Sequence, residues 1–483
     1  MTVDTVNQLS LISGFGSTSI LVMMIVITVV VGLQNGIYLL QLATSSLTLW
    51  RRPAATRTAL DLWTRQVDYS YPVTILAPAY NEELTVADSV RSLLALNYPD
   101  FRLFLINDGS KDGTMAVLHR EFALDPVVMD ADVILHTTRT IGMYRSRSNP
   151  GLFVIDKENG RKADAINCGL SYAQTPLVCV IDADSMIEPD GLLRAAEPFM
   201  TDDGALVAVG GAIRVANGCK VESGQVLTVG VPRGWIPRFQ TVEYLRAFLI
   251  SRIASAHWST LTLISGAFGV FRRSTLVEIG GYRHDTVGED LEVITRLHRH
   301  CREQNRPYRI TFVPEIVCWS EAPATIGGLR NQRARWQQGA LETIIRHRGM
   351  IGRPRYGRIG MVALPMMILE DVICPPLEVL GYVMIPTLYA LGLLAPEVAL
   401  SFLALSVLFG IFLSLGALIH EELQVRRTPS ASGLALLAVT AVLENIGYRQ
   451  MNSAFRLVGI WRHLRRRTDW AAVPRAGFQV PAR

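Results

Sequence analysis

The stretch "YPVTILAPAYNEELTVADSVRSLLALNYPDFRLFLIND", residues 71–108, decides the fold. Val73 to Ala77 is the short, branched, apolar run of a buried strand, and Pro78 and Asn81 are expected to end it. Glu82 and Glu83 suit the first turn of a helix, with Val86, Val90, Leu93 and Leu94 following at helical spacing. A second apolar run then ends in "NDGSKDGT", and another helix is expected near Lys111. A third unit repeats the order: the helix-like "GRKADAINCGLSYA" precedes the strand "LVCVIDADS". Strand, loop and helix in repetition predict an α/β domain, a parallel sheet with helices on both faces.

Ligands in such sheets bind at the carboxyl ends of strands. Asn81, Asp108, Asp182 and Asp184 all fall at predicted strand ends. "DADS" sets two carboxylates at i and i+2 after an apolar strand, a donor pair suited to Mg²⁺ or Mn²⁺ with phosphate oxygens completing the shell. Alone, a D-x-D is more often a strand-end cap, and Asp108 before a glycine has the same bland reading. "GED", residues 288–290, opens a predicted helix in which Leu291, Ile294 and Leu297 are apolar. Acids there suit the helix dipole, and a carboxylate there also suits a general base acting on an incoming hydroxyl.

Composition bounds the rest. The 483 residues are 49% hydrophobic and 18% charged, too apolar for a wholly soluble chain. The net charge of +5 gives no reason to expect nucleic acid as a partner. Six cysteines show neither C-x-x-C nor metal-ligand spacing and read as reduced, buried thiols. Ser17 to Leu42 is long enough to cross a bilayer, which takes about 20 apolar residues. Arg51, Arg52 and Arg57 follow it, so the positive-inside rule puts what comes next in the cytoplasm.

The expected organisation has four parts. Residues 1–57 hold an N-terminal transmembrane helix (about 17–42) and a basic linker, and 58–345 form the cytoplasmic domain. Residues 346–461 form a membrane region with spans near 377–395 and 398–419 and interfacial or broken segments near 359–374 and 433–461. Residues 462–483 are a basic cytoplasmic tail.

Taken in order, "APAYNEE", "INDGSKDGT", "NGRKADAINCGL", "DADS", "SGAFG", "GED" and "QRARW" resemble the membrane synthases of glycosyltransferase family 2. That group includes the cellulose, hyaluronan, chitin and poly-N-acetylglucosamine synthases. The resemblance runs from about Pro72 to Gly339 and implies a GT-A (Rossmann-like) nucleotide-sugar-binding domain inserted between N-terminal and C-terminal transmembrane helices. It implies that Ala79, Tyr80, Asn81, Glu82 and Asp108 hold the nucleoside, and that Lys162 is the basic contact beside it. Asp182 and Asp184 match the D-x-D motif, with Asp184 on the Mg²⁺ or Mn²⁺ ion. Asp290 matches the catalytic base, with Glu289 its neighbour.

Ser265 and Gly266 of "SGAFG", with Gln332, Arg335 and Trp336 of the Q-x-x-R-W signature, fall to the acceptor and diphosphate side. Arginine offers fixed donors to a diphosphate, and tryptophan a flat face for a sugar ring. Arginine snorkelling and tryptophan in an interfacial belt would explain the same residues if they stood alone. Thr468, Trp470 and Arg475 loosely match a mobile segment of related synthases.

The implied reaction is inverting transfer from a UDP-sugar, UDP-N-acetylglucosamine by the run of motifs, onto a growing β-linked glycan at the inner membrane. UDP-glucose as donor and transfer of a single sugar to a lipid carrier are the alternatives. An accessory membrane subunit is left open.

Overall fold

The computed structural model describes residues 3–51, 63, 70–183, 185–222, 224–424 and 430–465. The opening stretch forms strand β1 (Val73–Ala79), helix α1 (Val86–Leu94) and strand β2 (Phe101–Asp108), with the two strands parallel. β1 runs through Pro78 instead of ending there. Its other neighbour, β6 (Leu177–Ile181), pairs only as far as Leu76, so the missing N–H of Pro78 costs no ladder bond on that side. The helix starts at Val86, later than expected, because Glu82 and Glu83 are held in the preceding turn by the loop 110–114.

β3 (Leu124–Pro126), β4 (Thr140–Ser146), β5 (Leu152–Lys157), β7 (Met186–Ile187), β8 (Leu206–Val215), β11 (Phe268–Arg272) and β12 (Arg309–Ser320) complete a ten-stranded sheet. A small separate hairpin pairs β9 (Lys220–Glu222) with β10 (Gln225–Thr228). The order is β3-β4-β5-β2-β1-β6-β11-β8-β12-β7. Only part of it is parallel: β5, β2, β1 and β6 run together, whereas β11 is antiparallel to both β6 and β8. The expectation of a parallel sheet is thus corrected to a mixed one. An all-apolar run such as Leu206–Val215, buried at every position, marks a central strand but reads alike in either direction.

Among the described residues three helices are long and apolar enough to cross a membrane: Ile20–Arg51, Ile359–Ala390 and Pro396–Leu423. These mark a membrane protein. The second is continuous, so the segment near 359–374 and the span expected from 377 are one helix. Its π-helical turns Ile359–Ala363 and Leu369–Ile373 lie just ahead of Pro365 and the Pro375–Pro376 pair. Ala431–Leu443 and Tyr448–Leu464 are two helices that meet at 59°, the break lying within the apolar stretch 433–461.

Ion pairs fasten these helices to the sheet domain. Arg246, at the end of helix Trp235–Arg246, pairs with Glu444, and Arg214 of β8 pairs with the buried Glu421. Breaking a buried pair strands a charge, so each fixes position more than it adds stability.

Candidate active site

One end of the site is built from the loops after β1 and β2. Asn81 adopts a left-handed backbone (φ 56°), which asparagine tolerates better than most residues. Its side-chain oxygen accepts from the Lys111 amide at 2.8 Å, and its own amide donates to Ser110 Oγ at 2.9 Å. The two loops are thereby stitched into one rim. Asp108, only 3% exposed, receives Lys157 Nζ at 2.8 Å, the Gly160 amide at 2.9 Å and Asn159 Nδ2 at 3.1 Å. Lys157 is fully buried and also reaches Asp164 at 2.5 Å. Burial opposes its charge, but bonds to Asp108 and Asp164 outweigh that and raise its pKa.

The centre lies where helix Lys162–Tyr172, the end of β6 and helix Glu289–Glu303 converge. Lys162 Nζ sits 2.5 Å from Asp182 Oδ1 and 3.8 Å from Glu289 Oε1, and donates to the Gly266 carbonyl at 3.3 Å. Burial works against its charge, yet Asp182, Glu289 and Asp290 together raise its pKa. Burial also pushes the Glu289 carboxyl upward, against the pull of Lys162. Asp290 accepts from the Leu291 amide at 2.9 Å and the Gly266 amide at 3.3 Å, which orients its carboxylate. A side chain at Gly266 would meet Lys162 Nζ at 2.7 Å, so the end of the lysine would have to shift to admit it.

The third side is helix Ile326–Arg346, whose start Thr325 caps through its hydroxyl to the Gly328 amide. Gly339 on this helix meets Gly288 backbone to backbone, seating the start of the helix that carries Glu289 and Asp290. Trp336 is 43% exposed, with the Arg333 guanidinium 4.3 Å from its ring centroid. Arg333 pairs with Glu243 at 2.8 Å, and Tyr448 donates to the same carboxylate at 2.7 Å. Arg456 donates to Gln337 at 2.8 Å and pairs with Asp371 at 2.5 Å, bracketing this helix to two apolar ones.

Known proteins agree with this arrangement at the level of sequence. Glycosyl transferase family 2 matches residues 74–276, and Glycosyl transferase family group 2 matches 177–415. The chain belongs to glycosyl transferase family 2. The transferase is 30% identical over 280 residues to poly-beta-1,6-N-acetyl-D-glucosamine synthase of Staphylococcus aureus, covering 58% of this chain and 57% of that protein. The protein of the same description from Staphylococcus epidermidis is 30% identical over 275 residues, covering 57% of this chain and 56% of the relative. The chain thus matches little more than half the length of these relatives. Among solved structures, a mannosyltransferase from Pyrobaculum calidifontis, in complex with GDP-Man and Mn²⁺, aligns with 91% of this chain and 99% of its own at 17% identity and a TM-score of 0.49.

In the transferase, Ala79, Tyr80, Asn81, Glu82, Asp108, Lys162, Asp182, Ser265, Gly266, Glu289, Asp290, Gln332, Arg335 and Trp336 all line one cavity of about 2340 Å³. Asp184 lies outside the described residues, as do Thr468, Trp470 and Arg475. Sequence reasoning missed Lys157, which braces Asp108 from behind, and Glu243 and Arg456, which tie the Q-x-x-R-W helix to the apolar helices. Lys157 is the last residue of β5 and is buried, a place where a charge calls for a partner. Arg456 and Glu243 carry no such local signal.

The donor set at the centre fits a hard divalent cation, because carboxylate oxygens supply it and one or two of them suffice when phosphate oxygens complete the shell. Asp182 is the described member of the D-x-D pair, and Lys162 balances its charge. Among the described residues no group of three or more acidic, histidine or cysteine side chains could hold a metal.

Proposed function

We propose that the transferase moves a sugar, N-acetylglucosamine, from its UDP donor onto a growing β-linked glycan with inversion at the anomeric carbon. On this reading it sits in the inner membrane with the sheet domain in the cytoplasm, and it exports the chain. The observation that carries the reading is the continuity of the cavity. The same space that holds Asp182 and Asp290 is lined by Gln34 and Tyr38 of the first apolar helix, Glu370 and Glu378 of the second, and Arg449 and Ser453 beyond. Polar side chains on apolar helices facing a cavity suit a path for a hydrated chain. The donor rests on the 30% identity to the staphylococcal synthases.

In the transfer, Asp290 takes the proton from the acceptor hydroxyl as its oxygen bonds to the anomeric carbon, and the bond from that carbon to the UDP oxygen breaks. Lys162 and Arg335 supply positive charge on the leaving-group side. Asp184, with Asp182 beside it, would hold Mg²⁺ or Mn²⁺, which when bound neutralises the diphosphate. Trp336 offers the acceptor ring a flat face.

The test is turnover in lipid nanodiscs with Mg²⁺ or Mn²⁺ and each UDP-sugar in turn, reading UDP release and product size together. A polymer from UDP-N-acetylglucosamine alone is expected. Asp290→Asn should lose about 10²–10⁴ in rate, the range for a removed general base, while still binding UDP. A single-sugar product, or polymer from UDP-glucose only, would overturn the reading.

A further inference from the structure

Helix Trp235–Arg246 continues through the π-helical turn Ala247–Arg252, and Tyr244, Phe248 and Arg252, four residues apart, all face the cavity. Tyr244 and Phe248 meet edge to face at 5.7 Å, and the Arg252 guanidinium lies 4.1 Å from the Phe248 centroid. The far end of this stripe lies beside Gln332, which lines the same cavity, and the near end feels the charge of Asp290. The stripe therefore joins the Q-x-x-R-W helix to the catalytic base along a wall that no sequence motif marked.

Arg252 differs from four of the cations around it. Lys162, Arg246, Arg333 and Arg456 line the same cavity, and each meets a carboxylate. Arg252 has no carboxylate in an ion pair among the described residues. Burial lowers its pKa to about 10, against the pull of Asp290, so it stays charged at neutral pH. A half-buried guanidinium on an aromatic face, with donors to spare, is a binding group open to an acceptor atom.

A guanidinium only donates, so its best complement is an oxygen that only accepts, a carbonyl or carboxylate. A hydroxyl is a weaker partner because its own proton must be placed elsewhere. Beside the guanidinium, Phe248 and Tyr244 offer apolar edges. An amide carbonyl with a methyl group matches both features, whereas a carboxylate matches only the first. We propose that Tyr244, Phe248 and Arg252 form an acceptor ledge, on which Arg252 selects a terminal sugar bearing a 2-acetamido group by donating to its carbonyl oxygen. This deepens the proposed function and rests on its reading of an N-acetylglucosamine polymer.

The experiment is binding without turnover. The full chain in nanodiscs, saturated with UDP, is titrated with a β-linked N-acetylglucosamine trisaccharide and with the glucose trisaccharide of the same linkage. Wild type should prefer the acetylated ligand by about tenfold or more, as expected of one charge-assisted hydrogen bond. Arg252→Met should bring the two affinities within about twofold while leaving UDP binding and the glucose trisaccharide unchanged. Arg252→Lys, which keeps charge without the fork, should fall between. An unchanged preference in Arg252→Met would overturn the assignment, as would a tenfold loss of UDP affinity, which would put the guanidinium on the diphosphate. Equal loss of both trisaccharides would reduce Arg252 to a structural role and also overturn it. The donor screen judges the sugar nucleotide separately, so failure of the ledge and failure of the donor reading are distinguishable.

Discussion

Gly339→Ala tests whether the Q-x-x-R-W helix sets the position of the catalytic base. A Cβ at residue 339 would lie 2.7 Å from the Gly288 Cα and 3.0 Å from its nitrogen. Carbon atoms rest at about 3.5 Å or more, so the contact must open by about 0.8 Å. Both sides of it are backbone, and no side chain can swing away. The start of helix Glu289–Glu303 is the part free to yield, and Asp290 moves with it. Overpacking of this kind costs about 1–3 kcal/mol, and a misplacement near 1 Å at the reacting atoms costs about 10²-fold in rate.

The assay is UDP release at saturating donor, with a thermal unfolding midpoint measured on the same samples. Gly339→Ala should lower kcat by about 30–100-fold, with a small fall in midpoint and little change in donor KM, since the nucleoside end is held by different loops. Gly327→Ala is the control: it lies in the same helix, and an added Cβ there meets nothing within 4 Å. It should leave kcat alone. If Gly339→Ala keeps kcat within about threefold of wild type, the glycine pair does not position the base and the reasoning fails.

Three further outcomes follow from the same geometry. Trp336→Ala should shorten the product, measured by gel or size exclusion, more than it slows UDP release, because the proposed function gives the ring to the acceptor and not to the donor. Lys157→Met should cost on the order of 3–5 kcal/mol of stability, read as a sharp fall in the unfolding midpoint, because it strands the buried carboxylates of Asp108 and Asp164. Burial holds His298 neutral down to about pH 4, whereas the unfolded chain binds that proton near the ordinary value of about 6.5. The unfolded state therefore carries more protons between those values. His298 should cost no stability above about pH 6.5 and up to about 1.4 kcal/mol per pH unit below it, and midpoints in His298→Gln should fall less steeply from pH 7 to 5.

Much of the sheet domain was legible because its strands are short apolar runs punctuated by turn residues. The residues at their ends were legible because loops after such strands carry ligands. Strand direction was not, since β6 is a buried run throughout and β11 is one up to Arg272, yet they run opposite ways. Asp108 was read as a contact to the nucleoside. The structure shows it as the acceptor for Lys157, a pairing that depends on a strand 49 residues away in sequence. The brackets by Arg456 and Arg246 were illegible for the same reason, because ion pairs between distant helices leave no periodicity in either. The apolar stretch 359–390 invited division at Glu370, Asp371 and the prolines, and π turns carry the helix through all of them.

One helix explains why a motif made of glutamine, arginine, tryptophan and glycine belongs together. Residues 332 and 339 are seven apart, about 10 Å along an α-helix. At one end of that interval Gly339 seats the helix of the base, and at the other Gln332 meets the aromatic stripe that runs to Arg252. Between them Trp336 faces the cavity, while Arg333 and Gln337 are tied through Glu243, Tyr448 and Arg456 to the apolar helices. A base carried on a loop could drift relative to the membrane opening. Carried on a helix clamped to both, Asp290 cannot move without moving the helix of Trp336, which on the proposed function would give each added sugar the same geometry as the last.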